Sequence, residues 1–228
     1  MSKAHAKIQR VLKALNHEEP DQVPIGEFFW TNFIRRCKDE LDVGDDFDAY
    51  RHWDLDFIVI NPNMDQHITG IQVLEDTDER KLVKTGFGAV IERQRAYPMP
   101  NFVSFDTETF EQMEALEFDD PKDSRRYYDA IDDQINGVGD NLNLGLPSFV
   151  ERVNAYADDF CVFGGVCEIQ EELWRIIGPE NVYYKMAEDP GRLATFVERL
   201  GDFLVGIVEG QIEDARGKLS GMYVWGDI

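Results

Sequence analysis

The sequence predicts an α/β fold in which parallel strands alternate with helices. Apolar runs typical of buried strands recur along the chain, and segments with the apolar spacing of helices lie between them. Each run ends in polar, turn-rich sequence. Four such units are about half of a closed eight-stranded α/β barrel. The predicted strands are VPIGEFF (23–29), DFIVI (56–60), FCVFGG (160–165) and MYVW (222–225).

Two helices are predicted most clearly. Apolar residues recur at helical spacing between residues 4 and 16, which predicts an amphipathic helix at the start of the chain. The second helix begins at Asp189, a predicted N-cap, has Pro190 at its first position and ends near Gly217.

Residues 71–97 break the alternation of strands and helices. Short alternating runs separated by Asp, Gly and Glu predict antiparallel hairpins here, as an excursion within residues 61–107. No internal repeat and no Gly/Ser linker divides the chain. The sequence therefore predicts one domain over 1–228, the N-terminal portion of an α/β barrel.

Composition limits the classes of partner. The chain carries 45 Asp and Glu against 23 Lys and Arg, a net charge of -22, which repels nucleic acids and anionic membrane surfaces. Three cysteines form no even disulfide framework, and the first residues contain no apolar signal core, so we expect a cytoplasmic protein. No apolar run approaches the ~20 residues of a membrane helix. Composition alone names no substrate.

The candidate site lies at the predicted carboxyl ends of the strands, because the loops of an α/β barrel converge there over one mouth. Carboxylates at such a mouth can serve as general acid, general base or cation anchor. The alternative is that each acid caps a following helix or faces water. No catalytic role is assigned to a single residue. The pocket candidates are Glu27, Trp30, Asn61, Cys167, Glu168 and Asp227.

A metal site is not predicted within this chain. Cys161 and Cys167 are six positions apart, and the four histidines are scattered along the sequence without pairing to them. A zinc site needs clustered ligands. We expect Cys161 to be a small buried apolar residue, whereas Cys167 either packs in the core or lines the pocket.

Several segments in order resemble the uroporphyrinogen decarboxylase superfamily. They are RVLKALNHEEPDQVPIGEFFW, the hairpin insert with GFGAVIERQ, CEIQEELWRIIGPENVYYKMAEDP and the terminal GMYVWGDI. The resemblance spans essentially all 228 residues. It implies a TIM (β/α)8 barrel of the uroporphyrinogen decarboxylase type, of which this chain covers about the first half, with four strands, the hairpin insert and an N-terminal helix.

Within that superfamily the hairpin insert, EFFW and WGDI look like the methyltransferase branch. The resemblance implies transfer of methyl groups between a small methylated compound or a thiol and a corrinoid protein. It also implies zinc in a full-length relative, held by ligands from the later part of the barrel. No cofactor is expected within this chain itself.

Three other functions stay open. A uroporphyrinogen decarboxylase would remove acetate carboxyl groups from a tetrapyrrole. However, Arg35 and Arg36 fall in a predicted helix, and the decarboxylases' aspartate after the second strand falls near Asn61 or Asn63. A noncatalytic half-barrel would pair with itself or with a complementary subunit. A sugar hydrolase using Glu27 with Glu168 or Asp227 is a more distant alternative.

The end of the sequence raises one more expectation. GMYVWGDI looks like the fourth barrel strand of a longer protein, cut where the next loop would follow. An open half-barrel exposes a strand edge and an apolar face. We therefore expect this chain alone to be unstable or to need a partner.

Overall fold

The computed structural model describes residues 3–29, 31–44, 47–69, 71–94, 100–130 and 147–226. It is a mixed α/β structure with one parallel and one antiparallel sheet. The helices are α1 (Lys3–Leu15), α2 (Thr31–Glu40), α3 (Ala49–His52), α4 (Phe110–Ala115), α5 (Arg125–Tyr128), α6 (Phe149–Tyr156), α7 (Ile169–Ile177), α8 (Pro179–Glu188) and α9 (Pro190–Asp214). The strands are β1 (Phe57–Ile60), β2 (Gln72–Asp76), β3 (Arg80–Lys84), β4 (Ala89–Gln94), β5 (Asn101–Phe105), β6 (Cys161–Cys167) and β7 (Gly221–Trp225).

The parallel sheet has the order β1-β6-β7, so its strands follow one another in space as they do along the chain. Phe57 lies opposite Cys161, and Phe163 lies opposite Gly221. Helical segments connect the strands, as the alternation in the sequence predicted. Three of the four predicted strands are therefore confirmed.

The prediction of a buried strand at 23–29 is wrong. This segment makes a single parallel bridge, from Gly26 to Phe57, and the side chains of Val23 and Ile25 are 78% and 54% exposed. The physical reason is that β1 is its only neighbouring strand in the described part of the chain. The structure thus has three parallel strands and a bridge in place of four strands, and no closed barrel forms among the described residues.

A buried carboxylate holds the 23–26 segment beside β1. Asp56 is fully buried, and its Oδ2 accepts a hydrogen bond of 2.9 Å from the backbone N–H of Ile25. Its Oδ1 accepts a hydrogen bond from the guanidinium of Arg10 on α1. Arg10 also donates two hydrogen bonds to Asp21, at 2.8 and 2.9 Å. The side chain of Asp56 therefore joins α1, the 21–25 loop and the start of β1.

Replacing Asp56 by alanine is expected to lower the free energy of unfolding by about 3–5 kcal/mol, because it leaves the largely buried guanidinium of Arg10 without its buried partner. Asp21→Ala removes the exposed partner of the same arginine, and we expect it to cost at most about 1 kcal/mol. Urea denaturation of the two variants measures both values. If the two variants lose the same free energy of unfolding, Asp56 does not hold the 23–26 segment beside β1.

The antiparallel sheet has the order β2-β3-β4-β5, which confirms the hairpins predicted between 71 and 97. Val83 and Ile91 on β3 and β4 are buried and face each other across the sheet. Together with α7, α8 and α9 they form the larger of two apolar cores. The edge of Trp174 on α7 packs against Phe102 of β5, with 5.1 Å between ring centroids. The hairpin sheet thus covers helices that follow β6.

The second core lies between the parallel sheet and α6, and includes Ile58, Val162 and Phe149. The two predicted helices are both present, as α1 and α9. Asp189 caps α9, since its side chain accepts hydrogen bonds from the backbone N–H groups of Gly191 and Arg192. In the described ranges, no helix combines the length and apolar character needed to cross a membrane.

Candidate functional site

One face of the parallel sheet is concave and lined by aromatic rings. Phe57 and Phe163 lie on this face, with 5.9 Å between ring centroids. Phe28 precedes β1 in the bridged segment and Tyr223 is on β7, yet their ring centroids are only 6.1 Å apart. Contact between residues from the two outermost segments requires the sheet to curve around this face. The aromatic face is defined by these four residues.

Glycines make room for these rings. A Cβ at Gly26 would overlap the ring of Phe57, and a Cβ at Gly221 would lie 2.8 Å from the ring of Phe163. Gly165 leaves similar space at the next level of the sheet, where a Cβ would overlap the Oδ1 of Asn61. A side chain at any of these three positions would fill part of the concave face.

Three of the predicted site residues lie where β1 and β6 end. Asn61 follows β1, Cys167 ends β6, and Glu168 comes next. Glu27 lies in the bridged segment, where it is exposed, and its carboxylate accepts a hydrogen bond of 2.9 Å from the N–H of Phe28. Trp30 and Asp227 lie outside the described residues.

Glu168 is a helix cap, which was the alternative that the sequence left open. Its two carboxylate oxygens accept hydrogen bonds from the backbone N–H groups of Gln170, at 2.7 Å, and Glu171, at 2.5 Å. These donors belong to the first turn of α7 and have no partner within the helix. The carboxylate that turns toward the core is Glu172, one turn further along α7.

A buried ionisable cluster lies beside the carboxyl ends of the strands, formed by Asp65, Gln66, Glu172 and Arg175. Each of the four residues is at most 8% exposed. The Nε2 of Gln66 donates a hydrogen bond of 2.9 Å to the Oε1 of Glu172, whose other oxygen is 3.9 Å from Nη1 of Arg175. Arg175 also donates to Glu171. Two elements meet here, the loop after β1 and helix α7.

The two acids of this cluster hold protons unusually well. Burial, together with the nearby charge of Glu172, raises the pKa of Asp65 to about 8, although Arg175 and Arg126 act in the opposite direction. Burial likewise raises the pKa of Glu172, although Arg175 and Gln66 favour its charged form. At neutral pH, Asp65 therefore carries a proton that an ordinary aspartate would have lost. Titratable groups shifted in this way are typical of functional sites.

Arg126 fixes the loop that carries Asp65. It is fully buried, and its guanidinium donates to the backbone carbonyls of Asn63, Asp65, Asp119 and Asp120 at 2.7–3.2 Å. The N–H of Asp65 donates to the Oδ1 of Asn63 at 3.0 Å, which closes the loop locally. On its other side, the N–H of Gly86 in the β3–β4 turn donates to the Asp65 carboxylate. The position of Asp65 is therefore determined by three separate elements.

The cysteines are poor candidates for nucleophile or metal ligand. Burial raises the pKa of the Cys167 thiol, and the neighbouring Glu172 raises it further. Burial also raises the pKa of Cys161. Both groups therefore stay thiols at neutral pH, whereas zinc binds thiolates. In the described ranges no three His, Cys, Asp or Glu side chains come close enough to hold a metal ion.

Several polar atoms near the strand ends are buried without a hydrogen-bond partner. They include the Oδ1 of Asn61, the Oε1 of Gln66 and the Nε1–H of Trp225. Trp225 is opposite Cys167 in the sheet, and its ring lies 5.0 Å from the guanidinium carbon of Arg175. Buried donors and acceptors without partners are rare unless water or a ligand satisfies them. This end of the sheet thus offers two acceptors and one donor.

A cavity of about 440 Å³, bordered by Phe163 of the aromatic face, lies toward the opposite, amino-terminal end of the strands. Apolar residues of α1, together with Cys161 and Phe163, line it. It contains none of the predicted pocket residues.

None of the four residues of this cluster was among the pocket candidates that the sequence predicted. A signal for Glu172 does exist in the sequence, because it lies beside Leu173 on the face of α7 that also carries the buried Ile176. An acid on an apolar helix face is rare unless it is paired.

The chain matches no protein-family model, no curated protein and no solved structure.

Proposed function

We propose that this chain forms part of a methyltransferase of the uroporphyrinogen decarboxylase type, which transfers a methyl group between a small methylated compound or a thiol and a corrinoid protein. The observation that carries the proposal is the buried pair Asp65 and Glu172 at the carboxyl ends of curved parallel strands. Ligands of α/β barrels bind at that end of the strands.

The order of the elements supports the proposed barrel. The bridged segment at Gly26, β1, β6 and β7 are parallel neighbours in chain order. The contact between Phe28 and Tyr223 supports a curvature of barrel type. The antiparallel insert after β1 lies where the resemblance to the methyltransferase branch expects it.

Asp65 supplies the proton chemistry of the proposed reaction. When a methyl group leaves its donor, the group left behind gains an electron pair and takes up a proton. A carboxyl group with a pKa of about 8 can donate that proton near neutral pH, and in the reverse direction it can accept one from a thiol. Burial and the nearby charge of Glu172 keep the proton on Asp65, and Glu172 does not itself need contact with the substrate.

A uroporphyrinogen decarboxylase is the second candidate, and Asp65 is the observation that favours it. The sequence placed a neutral amide near Asn61 or Asn63 where the decarboxylases have an aspartate, but an acid does lie in this loop at Asp65. Charge argues against the second candidate. A porphyrinogen carries several carboxylates, whereas Glu168 and Glu171 lie directly after β6 at the start of α7, and Arg175 already pairs with acids.

The proposal predicts that the protein demethylates methylcobalamin in the presence of a thiol, followed by the change in the cobalamin absorption spectrum. Asp65→Asn is expected to slow this reaction by about 100-fold or more, because an amide cannot exchange the proton. Asp106→Asn is the matched control, since Asp106 is an exposed acid of the antiparallel insert paired with Lys84. It should leave the rate unchanged.

Titration with an oxidised porphyrin separates the two candidates. Tight porphyrin binding together with no methyl transfer by the wild-type protein would favour the decarboxylase. Equal rates for wild-type protein and Asp65→Asn would contradict the role of Asp65 while leaving the reaction class standing.

A further inference from the structure

We propose that the aromatic face of Phe28, Phe57, Phe163 and Tyr223 binds the methylated ammonium group of the substrate. This inference rests on the proposed methyl transfer for the fate of the methyl group, and it adds the chemical class of the donor. The binding itself depends only on the aromatic face and the charges around it.

The rings of the aromatic face are oriented so that they can contact a ligand. Phe28 is 45% and Tyr223 is 38% exposed, and Phe57 and Phe163 are half-buried. The ring planes of Phe28 and Tyr223 are inclined by 60°, and those of Phe57 and Phe163 by 87°. In such tilted or edge-to-face pairs the edge of one ring meets one face of the other, and the second face of that ring is not part of the contact. The π faces of aromatic rings attract cations, most strongly where water is excluded.

The charges near the aromatic face favour a cation. Glu27 adjoins Phe28 in the bridged segment, and its carboxylate is exposed. None of the residues that β1, β6 and β7 place on this face is basic. Arg175 lies above Trp225 at the carboxyl end of the face, where Glu171 and Glu172 are its partners. The net charge of -22 adds a negative potential over the whole protein.

The face suits an ammonium that carries methyl groups better than a primary ammonium or a metal ion. A primary ammonium has three N–H donors that need acceptors, and a metal ion needs several oxygen or nitrogen ligands. The aromatic face offers rings and the side chain of Val59, which together with Asn61 fills the position over Gly165. The unpartnered Oδ1 of Asn61 and Nε1–H of Trp225 lie at its carboxyl end, where they can accept from and donate to a hydroxyl group. A compound that carries both a trimethylammonium group and a hydroxyl group therefore matches the rings and these two polar atoms.

The transfer from such a donor balances without an added oxidant. The methyl carbon forms a bond to the thiolate or reduced corrinoid that supplies the electron pair. The C–N bond breaks, and its electron pair stays on nitrogen as a neutral amine. That amine then takes up the proton of Asp65.

Calorimetric titration with choline and with its neutral carbon analogue 3,3-dimethylbutan-1-ol tests the proposal. The two compounds have nearly the same shape and the same hydroxyl group, and they differ in the positive charge. We expect choline to bind the wild-type protein at least about tenfold more tightly. Equal affinity for the two compounds, or no binding of choline at millimolar concentration, would overturn the proposal.

Substitutions on the face locate the site. Tyr223→Leu is expected to weaken choline binding about fivefold or more with little effect on the neutral analogue, and Tyr223→Phe is expected to retain most of it. Phe33→Leu is the matched control, because Phe33 is an exposed aromatic residue that packs on Phe29 and Trp53 outside this face. Unchanged choline affinity in Tyr223→Leu would place the cation elsewhere and overturn the assignment.

The comparison of choline with its neutral analogue in the wild-type protein decides the question even if a variant fails to fold. Its outcome is also independent of the proposed reaction. Selective choline binding by a protein that transfers no methyl group would retain the cation site and reject the methyltransferase. Methyl transfer without selective choline binding would retain the methyltransferase and reject the cation site.

Discussion

Replacing Arg126 by methionine is expected to lower the free energy of unfolding by at least about 3 kcal/mol. The guanidinium is fully buried and donates to four backbone carbonyls. Methionine fills a similar volume but leaves those carbonyls without donors in a region that water does not reach. An acceptor deprived of its partner in this way costs about 1–3 kcal/mol.

The neighbouring Arg125 provides a matched control. Its side chain is exposed, and it pairs with Asp123 two positions earlier. Arg125→Met removes the same charge from the same helix, and we expect it to cost less than about 1 kcal/mol. Urea denaturation of the two variants at one pH gives the comparison. If Arg126→Met costs no more than Arg125→Met, the loop that carries Asp65 does not depend on this arginine.

The local elements of the fold could be predicted because local sequence determines them. Asp189 and Pro190 fix the start of α9, since one caps the first turn and the other has the backbone angle of a helix. The alternating pattern at 71–97 likewise predicted hairpins, because adjacent antiparallel strands need only short turns. β1, β6 and β7 are apolar runs long enough to be recognised as strands.

The segment 23–29 was misjudged because strand formation depends on neighbours. The segment is rich in apolar residues, but a strand needs pairing partners, and within the described chain Gly26 alone of this segment forms a bridge. Periodicity in a sequence gives no information on which edges are covered. The side chains of Val23 and Ile25 are therefore exposed in spite of their type.

The ionisable cluster could not be predicted, because it joins residues that are distant in sequence. Gln66 and Glu172 are 106 positions apart, and Arg126 reaches back 63 positions to Asn63. Strand-end reasoning selected Glu168 because it follows β6 directly, yet the helix that begins there uses its carboxylate as a cap. The functional candidate is one turn further along, where the helix faces the core.

Replacing Asp65 by asparagine is expected to make the protein more stable than the wild type at pH 8 and to flatten the pH dependence of stability. The folded state holds the pKa of Asp65 at about 8, above the ordinary value near 3.8 that applies in the unfolded chain. Between these two values the folded state keeps the proton and the unfolded state has lost it. The unfolded state therefore gains stability relative to the folded state as the pH rises.

The sign follows from proton linkage. Stability from Asp65 is fully present below about pH 4 and is lost progressively until about pH 8, at up to about 1.4 kcal/mol per pH unit. Glu172 contributes in the same direction, because burial raises its pKa too. Asp65→Asn removes the contribution of Asp65 and the repulsion that a charged Asp65 exerts on Glu172.

Urea denaturation of the wild type and Asp65→Asn at pH 5, 6, 7 and 8 measures the difference, and Asp106→Asn is the control for removal of an exposed acid. The curves for the wild type and Asp65→Asn should separate steadily with rising pH, whereas Asp106→Asn should stay parallel to the wild type. Parallel curves for all three proteins would mean that Asp65 is charged in the folded state. In that case it would have no proton to give, and the proposed acid would have to be sought elsewhere, with Glu172 as the next group to test.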